Sequence, residues 1–127
     1  MEFLELNLDE FSQIERRNIN KYDFPVVSFF KYNGSPVISF NKACEEEFGY
    51  VKYLKIYGNA EYLVFSLTDT KDSHCFAISY GRRSNPHVIS SGVERFAVVG
   101  KTYKLYKTPK GYAIKLNEPI FNRKESK

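Results

Sequence analysis

The chain has 127 residues, 43% of them hydrophobic and 17% aromatic, with 10 Tyr, 11 Phe and no Trp. This excludes a disordered chain, which is poor in aromatics, and fits one domain with one core that needs no disulfide or metal staple. Net charge is +4, unevenly placed: residues 1–75 hold 8 Lys and Arg against 12 Asp and Glu, and residues 76–127 hold 11 against 3. A basic half beside an acidic half suits contact with an anion such as nucleic acid, and it equally suits two solvated surfaces whose fields partly cancel.

The first residues have no basic stretch leading into an apolar one, and no run approaches the length of a membrane span. The expected location is therefore the cytoplasm, without a membrane partner. Cys44 and Cys75 are then expected to be reduced, small buried hydrophobes. Abundant rings and β-branched residues predict more strand than helix, an α+β domain that is mostly β.

In chain order, Phe3-Leu4-Glu5-Leu6 predicts a short strand, and Leu8, Phe11 and Ile14 recur at helical spacing through Arg17. Residues 1–22 therefore read as an N-terminal strand and helix. A β-rich run over 25–32 follows, then Asn33-Gly34, a hairpin signal because both positions of a type I′ turn need positive φ. Val37-Ile38-Ser39-Phe40 is the next strand. Asn41 caps a helix over 42–48 that Gly49 closes, with Cys44 and Phe48 one turn apart and facing the core. Strands over 51–57 and 62–67 are joined at Gly58-Asn59. Strands then follow over 75–80 and 88–90, the second after a polar loop at 81–86, and a helical turn over 92–96. Strands over 101–107 and 112–116 are joined by Thr108-Pro109-Lys110-Gly111. Residues 120–127 are expected to fray, from Asn122 onward above all.

The second half repeats the first. Val26-Val27-Ser28-Phe29 corresponds to Ala77-Ile78-Ser79-Tyr80 and Val37-Ile38-Ser39 to Val88-Ile89-Ser90, each 51 positions on. Leu54-Lys55-Ile56-Tyr57 corresponds to Tyr103-Lys104-Leu105-Tyr106 at 49 positions, and Tyr62-Leu63-Val64 to Tyr112-Ala113-Ile114 at 50. Ordered matches at a nearly constant offset predict a tandem pseudo-twofold repeat of ββαββ units, 25–70 and 75–119, in one small barrel-like domain.

Residues 37–67 resemble the AbrB/MazE-like swapped-hairpin family. Val37-Ile38-Ser39-Phe40-Asn41-Lys42 stands in for that family's first strand and its lysine, residues 43–49 for its helix, and residues 51–57 and 62–67 for its strand pair. Asn41 replaces the family's proline, and its Gly-Asp before the third strand is absent. The resemblance implies a barrel of two interlocked units, formed within a monomer or by a homodimer, and a DNA-binding regulator. The style of the sequence also resembles small phage and prophage accessory proteins, which places it in a host cytoplasm.

No sequence pattern supports catalysis, a metal or a cofactor. Gly100-Lys101-Thr102 lacks the upstream glycine of a P-loop, since position 95 is Arg. His74 and Cys75 are adjacent on a strand and point to opposite faces. The two His and two Cys lack zinc spacing, and Glu45-Glu46-Glu47 fans around its helix as a solvated face. The chain reads as a non-enzymatic binding protein.

Alternation on the third strand of each copy turns Leu54 and Ile56 inward and Tyr53, Lys55 and Tyr57 outward. In the second copy Tyr103 and Leu105 turn inward and Thr102, Lys104 and Tyr106 outward. Lysines between exposed rings suit phosphate contact and base stacking, with Lys55 and Lys104 on phosphates and Tyr57 and Tyr106 lining the contact. The same pattern suits a plain polar sheet face. Arg82 and Arg83 lie in a loop placed for a phosphate or acidic-protein contact, or for solvent alone. The alternative to DNA is a host protein that the chain, as a phage or prophage accessory protein, binds and modulates.

Overall fold

The structure is a computed structural model that describes residues 2–7, 9, 19–81 and 85–122. The helix expected around Leu8–Arg17, the Arg82–Arg83 loop and residues 123–127 lie outside the described residues. The strand expected over residues 3–6 does not form. Residues 2–7 make no ladder, and Phe3, Leu4 and Leu6 are 92%, 85% and 63% exposed. A run this short, with Glu5 inside it, gives a lone strand little to bury.

Ten strands and one α-helix are formed among the described residues: β1 (Val26–Tyr32), β2 (Ser35–Phe40), α1 (Lys42–Phe48), β3 (Tyr53–Gly58), β4 (Tyr62–Thr68), β5 (Phe76–Ala77), β6 (His87–Ile89), β7 (Lys101–Lys104), β8 (Tyr106–Thr108), β9 (Gly111–Lys115) and β10 (Phe121–Asn122). The fold is thus mostly β. The strands fall into two five-stranded sheets, β10-β7-β1-β2-β6 and β5-β3-β4-β9-β8, rather than one closed barrel. The pairings within both are antiparallel.

Local chemistry sets the first hairpin and the helix. Asn33 and Gly34 have φ of 50° and 80°, the left-handed conformation that a two-residue turn between right-twisted strands requires. Asn41 starts α1 and is fully buried. Its Oδ1 accepts from the N–H groups of Val26 (3.1 Å) and Cys44 (3.2 Å). Its Nδ2 donates to the carbonyls of Phe24 (2.9 Å), Tyr22 (3.3 Å) and Ile19 (3.4 Å). One amide therefore caps the helix and ties down both the entry to β1 and the 3-10 turn Ile19–Lys21. Gly49 ends α1 in the left-handed conformation, φ 59°.

The core lies between the sheets. Phe40 of β2 packs edge-on against Phe65 of β4, ring centres 5.5 Å apart, and against Phe48 of α1 at 5.0 Å. Phe29 meets Tyr103 edge-on at 5.8 Å, and the Tyr103 hydroxyl donates to the Leu116 carbonyl at 3.3 Å. Phe29, Phe40 and Phe65 are fully buried, each contributing roughly 1.5–3 kcal/mol of transfer free energy.

The second half departs from the expected elements in four places. The strand expected over 75–80 shrinks to β5, after which Ser79 forms an isolated bridge to His87. Cys75 therefore precedes the strand and is half-buried rather than buried. The strand expected over 101–107 breaks at Leu105, whose N–H turns to the Pro25 carbonyl at 2.9 Å, so that β7 joins the first sheet and β8 the second. Phe121 and Asn122, expected near or in the frayed tail, form β10 along β7. That strand helps bury Thr102, expected to face outward; it is 2% exposed and donates its hydroxyl to Ser28 Oγ at 3.2 Å. The helical turn expected over 92–96 is present as the 3-10 segment Ser91–Phe96.

Candidate functional site

The outer face of the second sheet can be built from its register. Leu54 and Ile56 of β3, Leu63 and Phe65 of β4, and Tyr112 and Ile114 of β9 turn toward the core. Their alternate neighbours therefore share the opposite face. The ladders place Tyr57 opposite Val64, Val64 opposite Ala113, and Ala113 opposite Tyr106. One row thus runs Tyr57–Val64–Ala113–Tyr106 across four strands. In the neighbouring row Tyr62 lies opposite Lys115. Rings stand at both ends of the first row and a small, apolar floor lies between them.

Tyr57 and Tyr62 are 57% and 42% exposed, whereas Ala113 is 7% exposed at the bottom of the face. An open depression of about 390 Å³ is lined by Tyr57, Gly58, Asn59, Tyr62, Val64, Thr108 and Ala113. Asn59 holds the β3–β4 turn rigid, its Oδ1 accepting from the N–H groups of Glu61 and Tyr62, each at 2.8 Å. Gly58 lets the Phe96 ring and the Leu63 side chain pack close to the backbone, since a Cβ there would lie 2.4 Å from the Phe96 ring and force these side chains to shift.

Two cations border this floor. Lys115 Nζ lies 4.7 Å from the centre of the Tyr106 ring and Lys104 Nζ 5.4 Å from it; Lys104 Nζ is also 5.4 Å from the Phe24 ring. The negative face of an aromatic ring attracts an ammonium, so Tyr106 gathers two positive charges beside the depression. Lys115 has Glu118 at 3.8 Å, a solvent-exposed pair of little strength. Among the described residues Lys104 has no carboxylate within ion-pair distance.

Lys55, expected to be the counterpart of Lys104, is differently placed. Its Nζ lies 2.5 Å from Asp72 Oδ2. The Lys55 bond, with the His74 backbone N–H second, holds the Asp72 carboxyl down to about 2, and the same bond raises the Lys55 ammonium. Lys55 therefore enters the site already neutralised. Of the residues expected to form a site, Tyr57 and Tyr106 share one row and Lys104 borders it, Lys55 is on the same face but paired, and Arg82 and Arg83 lie outside the described residues.

Tyr62, Val64, Ala113 and Lys115 were not among the expected site residues. The signal for them was present in the alternation of β4 and β9, but their neighbours across the sheet follow only from the register of strands about fifty residues apart. No family model matches this sequence, and no curated protein or solved structure matches it.

Proposed function

We propose that this chain is a non-enzymatic binding protein whose ligand is nucleic acid, held on the outer face of the second sheet. The observation that carries this reading is the juxtaposition of Lys104 and Lys115 around Tyr106 with the ring-walled floor at Ala113 and Val64. Ammonium groups neutralise phosphates and exposed rings accept base faces, and the two needs are met side by side. The basic character of residues 76–127, from which Lys104, Tyr106 and Lys115 all come, supports the same ligand.

The test is an electrophoretic shift titration against single-stranded and duplex DNA at two salt concentrations. Binding should weaken with salt, and K104A/K115A should weaken it for every sequence and flatten the dependence by about two phosphates' worth, about 0.7 each on a single strand and 0.9 on a duplex. No shift at low salt with micromolar protein would refute it.

We further propose the tandem swapped-hairpin relation that would tie this chain to DNA-binding regulators of the AbrB-like type. Its support is the register. Val37 lies opposite Ile89 and Ile38 opposite Val88, so that each residue faces the counterpart of its neighbour. Leu63 lies opposite Ile114 and Val64 opposite Ala113 in the same reciprocal way. Such pairs arise where a twofold axis passes between two strands. The barrel-like arrangement draws on the two places where the sheets approach, the Ser79–His87 bridge and the break at Leu105. Residues 25–70 expressed alone provide a test: a folded homodimer with Leu63 next to the partner's Val64 supports the relation, and a folded monomer refutes it.

A further inference from the structure

We infer that the depression between Tyr57, Tyr62 and Ala113 is a base-stacking slot, and that the ligand of this face is single-stranded nucleic acid rather than duplex. This rests on the nucleic-acid reading and specifies its substrate class. The depression is apolar at its floor, where Val64 and Ala113 offer no hydrogen-bond donor or acceptor from their side chains. A floor of that kind excludes a phosphate or a sugar hydroxyl and accepts a flat, weakly hydrated surface. The walls are phenol rings, which stack on the π-face of any base.

The dimensions agree. Tyr57 and Tyr106 stand three strand spacings apart, roughly 14 Å, so the two rings serve different positions along a strand rather than clamping one base. The volume of about 390 Å³ lies near the lower end of the roughly 300–1,000 Å³ typical of small-ligand clefts. Tyr106 has both lysines on it and sits next to the floor, so it places positive charge one strand away from the slot. A base in the slot and its phosphate at the lysines are then neighbours on one nucleotide chain. In a duplex the base faces are occupied by stacking within the helix, and none is free to lie on Ala113.

The chain has 10 Tyr and no Trp, so its intrinsic emission reports on tyrosine alone. The full chain is titrated with oligo(dT) of about 12 nucleotides, an abasic oligomer of equal length, and a duplex of that length, a size within the site range of single-strand binders. Emission should be quenched by oligo(dT), with binding at least about 10-fold tighter than to the abasic strand or the duplex. Tyr57→Ala and Tyr62→Ala should each weaken oligo(dT) about 5- to 150-fold and leave the abasic strand unchanged, and Tyr57→Phe, which keeps the ring, should restore binding. Tyr57 is more than half exposed, so the truncation does not threaten the fold. Equal binding of all three probes, with the tyrosine variants unchanged, overturns the slot and leaves phosphate contact standing. A mononucleotide that binds as tightly as the oligomer overturns the strand assignment. Binding of none of the probes at low salt fails the nucleic-acid reading itself.

Discussion

Asp72→Asn offers a direct way to add charge to the outer face of the second sheet without touching it. Lys55 stands on that face, two residues from Tyr57, but its ammonium is held by Asp72. Asparagine keeps an oxygen to accept the His74 backbone N–H, which Asp72 Oδ1 now receives at 2.8 Å, so the loop geometry survives. The freed ammonium becomes available to a phosphate. Each phosphate neutralised on a single strand adds about 0.7 to the slope of log K against log salt, so at 0.1 M salt one more contact raises affinity by about fivefold. The assay is fluorescence titration with a single-stranded oligomer across a salt series. D72N should bind about fivefold tighter at 0.1 M salt with a slope steeper by about 0.7. Lys55→Ala should weaken binding, because it leaves the Asp72 carboxylate unpaired beside the face, and D72N/K55A, neutral like the parental pair, should return to the parental slope. An unchanged slope in D72N refutes the assignment of this face to phosphate contact.

The remaining predictions concern stability and reactivity. Gly111 has φ of 148°, and a Cβ there would sit 2.2 Å from the Phe65 carbonyl oxygen, so Gly111→Ala should cost about 2–6 kcal/mol in urea unfolding from backbone strain and overlap; a loss below about 1 kcal/mol would contradict this packing. Cys44 is fully buried and Cys75 half-buried, so a thiol reagent should label one cysteine quickly in native buffer and the other only on unfolding, with peptide mapping placing the fast label at Cys75. Burial pushes the Cys44 thiol and the Tyr103 hydroxyl up to about 12, and burial with nearby carboxylates does the same for Tyr80. In the unfolded chain these groups release protons at lower pH, so stability should be complete below about pH 9 and fall as pH rises toward 12; a flat stability curve over that window would exclude their burial as neutral groups.

Sequence by itself determined the features whose cause is local. Asn33-Gly34 has the turn chemistry that a hairpin needs, and both residues take positive φ. Asn41 and Gly49 bracket α1 as their capping chemistry requires. The two-residue alternation on β3 turned Leu54 inward and Tyr57 outward, since neighbouring side chains on a strand take opposite faces. Tertiary structure decided the rest. Two-residue strands such as β5 and β10 have no periodicity to read, and both exist because a longer neighbour presents free backbone groups to them. The break at Leu105 appears only where one strand must serve two sheets. Lys55 looked like the counterpart of Lys104, yet a loop carboxylate 17 residues away neutralises one and none among the described residues approaches the other. The slot itself joins Tyr57 and Tyr62 to Ala113 through the β4–β9 ladder, and pairing between strands so distant in sequence is set by core packing and not by any local pattern.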